Sequence, residues 1–325
     1  MAKLKLTMAI GHFDRYLPLF DGTVSPDQID LTVLSVGQAE KLKHGADRNE
    51  RMLQHKEFDV SETSLSSYLM AKARNVPLTA IPVFPRRQFS QSHIWVHAGA
   101  EIAGPKDLIG KRVGLNTFQT TLSVLAKGDL QAEYGVPWRD IQWHVSAEEP
   151  IEFEPLHGVS IQLIPRGKKL AAMLESGEID AAFVPRIPDP VLKGSTRIRR
   201  LFQNPKDEER KYFQKNGFFP IMHVIVFRDE VLDAHPWTAK AIMNAFQQAK
   251  DVARRYYEDP NWSLFAWGRH LVEEEQKILG NDPWPFGIER NRDNLDRFME
   301  YSVDQGLLPI KLSLEEIFHP STLDS

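Results

Sequence analysis

Apolar and polar positions alternate from the start of the chain. Leu4, Leu6 and Met8 interleave with Lys3, Lys5 and Thr7, the period of a strand, until Gly11, His12, Asp14 and Arg15 break the run. Short apolar runs bounded by turn-forming residues recur at 31–34, at the proline-bounded stretch 77–84, at 92–97 and at 111–115. Between them lie segments of helical period. One spans 36–54. A second opens near Asn116 and runs to about Tyr134, where Gly135-Val136-Pro137 stops it. A third begins after His235-Pro236 and runs to about Glu258, with Ile242, Phe246, Ala249, Ala253 and Tyr256 on one face. Strands alternating with helices predict an α/β protein built on parallel sheets with covering helices.

The pattern has an internal echo. Met52-Leu53 precedes Glu57-Phe58-Asp59-Val60 by three residues, and Met173-Leu174 precedes Glu178-Ile179-Asp180-Ala181 by the same spacing. Each reads as a helix end, a tight turn and the start of a buried strand. The repetition fits two similarly built lobes, with 1–96 and 222–325 forming the first and 97–221 the second. No low-complexity linker separates them, so a hinge made of strands is expected. Beyond residue 260 the chain is irregular and aromatic, with Trp262, Phe265, Trp267, Trp284 and Phe286. Such a stretch reads either as core or as a homo-oligomer contact.

Composition narrows the functional classes. With 42% hydrophobic and 26% charged residues the chain is an ordinary globular one. A net charge of -4, with no basic run, gives no footing for a nucleic-acid or membrane partner. Cysteine is absent, which excludes disulfides, thiolate metal sites and cysteine nucleophiles. No segment approaches the roughly 20 apolar residues of a membrane span. The first apolar run breaks too early for a signal-peptide core, so a cytoplasmic location is expected. Glycine-rich phosphate loops, nucleophile elbows and His-Glu-x-x-His spacing are missing, so neither a cofactor nor a metal is expected.

Candidate chemistry sits where strands end. The stretch Asn116-Thr117-Phe118-Gln119-Thr120-Thr121 follows a strand and opens a helix. Free N–H groups and a positive dipole end suit an anion there, and Thr117, Thr120 and Thr121 add hydroxyl donors. Ser61-Glu62-Thr63-Ser64-Leu65-Ser66-Ser67 is the matching place in the first half, and it too reads as the opening of a helix. Glu62 is out of character beside an anion, unless it is a solvated first-turn acid or takes part in chemistry. Arg86-Arg87 at a strand end, and Arg186 after the second echo strand, are guanidinium groups able to grip a carboxylate. His223 and His93 lie in apparent strands, where an imidazole is either a satisfied core group or a proton donor. His12 is a third candidate.

At larger scale, Pro105-Lys106-Asp107-Leu108-Ile109-Gly110-Lys111-Arg112-Val113-Gly114 and Met173-Leu174-Glu175-Ser176-Gly177-Glu178-Ile179-Asp180-Ala181 resemble the type II periplasmic-binding-protein superfamily. A narrower resemblance runs through Glu57 to Tyr68, Phe84-Pro85-Arg86-Arg87, Gln131-Ala132-Glu133-Tyr134-Gly135-Val136, Phe219-Pro220-Ile221-Met222-His223-Val224 and Asp282-Pro283-Trp284-Pro285-Phe286-Gly287. These residues resemble the 4,5-dihydroxyphthalate decarboxylase family, and only 147–160 offers nothing to match. The resemblance implies a two-lobed binding-protein fold with mixed sheets, a ligand cleft between the lobes, and cofactor-free loss of CO2 from a hydroxylated aromatic dicarboxylate.

On that resemblance, Arg86 or Arg87, with Arg186, would hold carboxylates. Ser64, Ser66, Thr117, Thr120 and Thr121 would add donors. His223 would be the first choice to supply the proton and His93 the second, with Glu62 orienting the acid or accepting a ring hydroxyl. The alternative on the same fold is a solute-binding protein for a small carboxylate. A thiamine-pyrimidine-forming relative is a third reading, and the absence of cysteine counts against it.

Overall fold

The computed structural model describes residues 2–36 and 48–325. The chain divides into two compact units. Unit 1 comprises 1–87, 221–293 and 312–325, and unit 2 comprises 88–220 and 294–311.

Unit 1 is built on a five-stranded mixed sheet of β1 (Leu4–Ile10), β2 (Ile29–Ser35), β3 (Val60–Ser64), β4 (Leu78–Ile81) and β11 (His223–Arg228), in the order β2-β1-β3-β11-β4. Strands β2, β1 and β3 run parallel. Strand β11 is antiparallel to both β3 and β4. The chain therefore leaves this sheet after β4 and returns through β11. The core gathers Leu6, Met8, Ile10, Val60, Ile81, Ile225 and Phe227 from the strands. Ile242, Phe246 and Ala249 come from the helix Thr238–Tyr256. That helix keeps close to its expected span, and of the expected apolar face only Tyr256 is not buried.

Strand β3 is central and entirely buried, although four of its five residues are polar. The sequence pattern predicts a helix opening at Ser61. Instead the strand runs through Ser64 and the helix covers Leu65–Lys72. The reason is ladder pairing. β3 lies between β1 and β11, and its backbone groups are taken on both edges. Glu62 is thus a mid-strand residue and not a first-turn acid. The helical expectation at 36–54 is met by Arg48–Leu53, while 37–47 lie outside the described residues.

Unit 2 holds a six-stranded sheet of β5 (Ile94–His97), β6 (Arg112–Leu115), β7 (Gln142–Val145), β8 (Ile161–Leu163), β9 (Ala181–Phe183) and β10 (Ile198–Arg200), in the order β10-β5-β9-β6-β7-β8. Strand β5 pairs antiparallel with β9 and β10, so residues assigned by sequence to the first lobe up to 96 contribute to the second sheet. Residues 294–311 also belong to this unit. The helix Thr121–Tyr134 closes on Gly135 with φ +64°, a left-handed cap that glycine adopts without a Cβ penalty. Both halves of the internal echo form a helix, a left-handed residue (Lys56 or Gly177) and a strand.

The aromatic stretch beyond residue 260 is divided. Phe286 is buried, whereas Trp262, Phe265 and Trp267 are exposed. Among the described residues no helix is long and apolar enough to cross a membrane. None of the described His, Asp and Glu residues gather in threes as they would around a metal ion.

Candidate active site

The register of unit 1 brings two sequence candidates onto one face. In the β3–β11 ladder Glu62 lies opposite Ile225 and Ser64 opposite His223. Opposed residues in an antiparallel pair share a face, and so do residues two apart, so Glu62, Ser64 and His223 point the same way. The Glu62 carboxylate has no exposure at all. Its Oε1 accepts from His223 Nδ1 and from the Arg48 guanidinium, the latter at 2.6 Å. Its Oε2 accepts from the Gly11 N–H at 2.7 Å, where β1 ends.

Arg48 carried no mark in the sequence. It is 94% buried at the start of its short helix. Its Nε donates to the Glu62 carbonyl at 3.0 Å and its Nη1 to the Val36 carbonyl at 2.8 Å. Its Nη2 lies 3.4 Å from His223 Nδ1. The next residue, Asn49, accepts the Ser64 N–H on Oδ1 at 2.7 Å. One helix turn therefore holds β3 at Glu62 and at Ser64.

Electrostatics follow from this packing. Burial alone would raise the Glu62 carboxyl, but Arg48, His223 and the Gly11 N–H outweigh it and hold it well below the usual carboxylate range. Burial lowers the His223 imidazole. Glu62 opposes that shift, and the positive charges of Arg86 and Arg48 add to it. Glu62 is thus an ionised acceptor that fixes the proton of His223 on Nδ1. Nε2 is left as the nitrogen that can meet a ligand, since among the described residues no hydrogen bond reaches it. The His223 side chain keeps 14% exposure.

The arginine pair separates. Arg87 is buried inside unit 1, where its Nη2 donates to the Pro285 carbonyl at 2.7 Å and to Asn291 Oδ1 at 2.5 Å. Arg86 is half-buried, and its carbonyl accepts the N–H groups of Met222 and His223 at 2.8 and 3.2 Å. Ser66 is buried in the first turn of the helix Leu65–Lys72. His12 is exposed beside the Phe20 ring.

The remaining candidates lie in unit 2. His93 closes a short 3-10 turn before β5 and is not part of the strand. Its Nδ1 is 3.2 Å from the Val184 carbonyl and its Nε2 is 3.3 Å from Gln88 Nε2. Arg186 is exposed after β9. The Thr117 and Thr120 hydroxyls bond each other at 2.6 Å, and Thr121 is buried as the first helical residue. The N–H groups of Phe118 and Gln119 donate to the Glu149 carboxylate at 2.6 and 3.1 Å. Behind this loop Lys127 is fully buried among Phe118, Trp138 and Trp143 and donates to the Phe118 carbonyl at 2.9 Å. Burial drives its ammonium well below the ordinary lysine value, against the pull of Glu149.

Comparison with known proteins places this geometry in context. Residues 41–142 match the family model described as NMT1/THI5 like. The chain is 33% identical over its whole length to a 4,5-dihydroxyphthalate decarboxylase of Comamonas testosteroni, covering 99% of that protein. It is 30% identical to a 4,5-dihydroxyphthalate decarboxylase of Pseudomonas putida over 66% of this chain and 83% of that one. The backbone is similar to the periplasmic sulfonate-binding protein SsuA of Methylobacillus flagellatus, with TM-score 0.59 and 12% identity over 99% of this chain and 93% of that one. The aliphatic sulfonate-binding protein SsuA of Escherichia coli gives TM-score 0.56 at 12% identity, with 99% of each chain covered. These likenesses establish the type II binding-protein fold.

Proposed function

The chain belongs to the 4,5-dihydroxyphthalate decarboxylase family, and from that premise we propose that it is a carboxy-lyase converting 4,5-dihydroxyphthalate to 3,4-dihydroxybenzoate and CO2, as a step in phthalate breakdown. Identity along the whole chain carries this reading of the activity. The buried Glu62–His223 pair supports the assignment of roles.

In the reaction one C–C bond breaks. Its electron pair stays on the ring carbon, which takes one proton. A hydroxyl para to that carbon feeds electron density into the ring, so no electron-sink cofactor is required. His223 carries the proton on Nε2 and delivers it to the carbon. Glu62 holds the ring in position through Nδ1 and stabilises the charge when His223 is protonated. A depressed imidazole suits this task, because protonating a ring carbon needs a stronger acid than an ordinary imidazolium. Arg86, whose charge is felt at His223, is the better placed of the arginine pair to hold the retained carboxylate, since the Arg87 guanidinium is committed within unit 1.

The test is incubation with 4,5-dihydroxyphthalate, following CO2 and the aromatic product. Turnover by the wild type that is lost in His223→Gln, with substrate still bound, supports the reading. The fold favours one alternative, a solute-binding protein for a small carboxylate. Tight binding of the diacid with no CO2 released would establish that alternative and overturn the proposal.

A further inference from the structure

We infer that Arg48 is the positioning residue that sets the acidity of His223, by sharing the carboxylate oxygen on which the imidazole leans. This deepens the decarboxylase reading and rests on it for its catalytic meaning, though not for its test.

Glu62 Oε1 has two cationic or potentially cationic neighbours, Arg48 Nη2 at 2.6 Å and His223 Nδ1. A carboxylate facing one imidazole favours the imidazolium, because the pair is then neutral. Here the guanidinium already neutralises Glu62 and lies 3.4 Å from the imidazole. A proton added to His223 therefore gives a cluster with net positive charge in a site almost closed to water, where charge interactions are strong. The charged groups facing His223 are Glu62 from β3, Arg48 from the helix Arg48–Leu53, and Arg86 from the segment after β4. Tyr16 faces Glu62 from the 3-10 turn Asp14–Tyr16.

Arg48 is also held firmly. Two main-chain carbonyls, of Val36 and Glu62, take Nη1 and Nε, so the guanidinium cannot swing away when the imidazole gains its proton. The result is an imidazolium that gives up its proton readily to a poor acceptor such as an aromatic carbon. The cost is a smaller protonated fraction at neutral pH.

The experiment is NMR titration of the His223 ring nitrogens in the ligand-free protein, with the signal assigned by its loss in His223→Gln. The wild type should titrate below the ordinary imidazole value of about 6.5. Arg48→Met should raise the midpoint by at least about one unit, and Arg48→Lys, which keeps the charge, should stay near the wild type. In turnover, Arg48→Met should move the alkaline limb of kcat upward by the same amount and lower the plateau.

An unchanged midpoint in Arg48→Met would overturn the inference. So would an equal shift in Arg48→Lys, since charge would not then be the cause. If Arg48→Met fails to fold, the wild type and Arg48→Lys still decide it: a wild-type His223 already an imidazolium at pH 7.5 refutes it. Because the titration needs no substrate, a protein that passes it yet releases no CO2 refutes only the decarboxylase reading.

Discussion

Replacing Glu62 with Gln tests the candidate site at its centre. The amide keeps the shape of the side chain and an acceptor oxygen but removes the charge. Arg48, with a side chain 7% exposed, then becomes a buried cation whose only carboxylate partner among the described residues is gone. Removing one member of a buried ion pair costs about 3–5 kcal/mol. Arg48 keeps its two carbonyl acceptors, so the lower end, about 3 kcal/mol, is expected. The Gly11 N–H must also exchange a charged acceptor for a neutral one, or be left facing an amide NH2. For His223 the change removes the group that holds its proton in place. Its titration falls further, by about one unit or more, so the protonated fraction at a fixed neutral pH drops about tenfold per unit. Urea unfolding at pH 7 measures the first effect, and kcat/KM for 4,5-dihydroxyphthalate the second, with a loss of 10- to 100-fold expected. Since the folded carboxyl of Glu62 is held below its unfolded value, its contribution is full above about pH 4.3 and declines below that. The wild type should therefore lose its advantage over Glu62→Gln as the solution is acidified. A variant within about 0.5 kcal/mol of the wild type, and within threefold in kcat/KM, would refute the assigned network.

Three further outcomes are expected. Asp129 is buried, accepts from Ser90 and Tyr301, and has its carboxyl pushed up to about 7, chiefly by burial. Between the unfolded value of about 3.9 and 7 the folded state holds a proton that the unfolded state has released, so stability falls as pH rises through that window, with a ceiling of about 4 kcal/mol. Asp129→Asn should thus gain on the wild type between pH 5 and pH 8 in urea titrations, and a gap independent of pH would count against this account. Gly128 sits in a helix, where alanine is ordinarily better by about 1 kcal/mol, yet its added Cβ would meet the Tyr301 ring at 2.1 Å. Overpacking should win, and Gly128→Ala should lose about 2 kcal/mol by the same assay. Lys127 is fully buried with a depressed ammonium, so between its folded value and about 10.4 the unfolded state binds more protons and stability rises with pH. Lys127→Met should flatten that rise, as thermal unfolding at several pH values would show.

Much of the architecture is legible in the chain because it follows from period. The alternation at 4–10, the apolar face of 238–256 and the glycine stop at 135 are local signals, and local structure obeys them. The polar strand β3 is not legible that way. Ser61, Glu62, Thr63 and Ser64 look like a cap and first turn, and only the partners on both edges make them a strand. Arg48 escapes for a related reason. It lies 14 residues from Glu62 and 175 from His223, in a segment whose surface-like composition gives no hint of burial. A signal did exist, in that a buried carboxylate requires a buried cation. The sequence contains 40 lysines and arginines, too many for that requirement to single one out.

The segment Asn116–Thr121 shows the same limit from the other side. Free N–H groups before a helix attract an anion, and one carboxylate does sit on the Phe118 and Gln119 amides. That carboxylate is Glu149, which lies within the stretch 147–160, outside the segments that carry the family resemblance. Its attachment leaves the carboxyl raised by burial despite the two N–H donors, and Lys127 stands behind the same loop with its ammonium depressed. Each of these buried groups is only partly compensated by the other, so the loop is held by a pair whose charges are both unfavourable in isolation. An external anion approaching those amides must compete with Glu149 for them. The Glu62 cluster in unit 1 differs in kind: its carboxylate is over-compensated, with a guanidinium, an imidazole and an amide on two oxygens. An imidazole that keeps 14% exposure, with the Arg48 guanidinium 3.4 Å away, suits the approach of a dicarboxylate, and it is there that chemistry on such a ligand is expected.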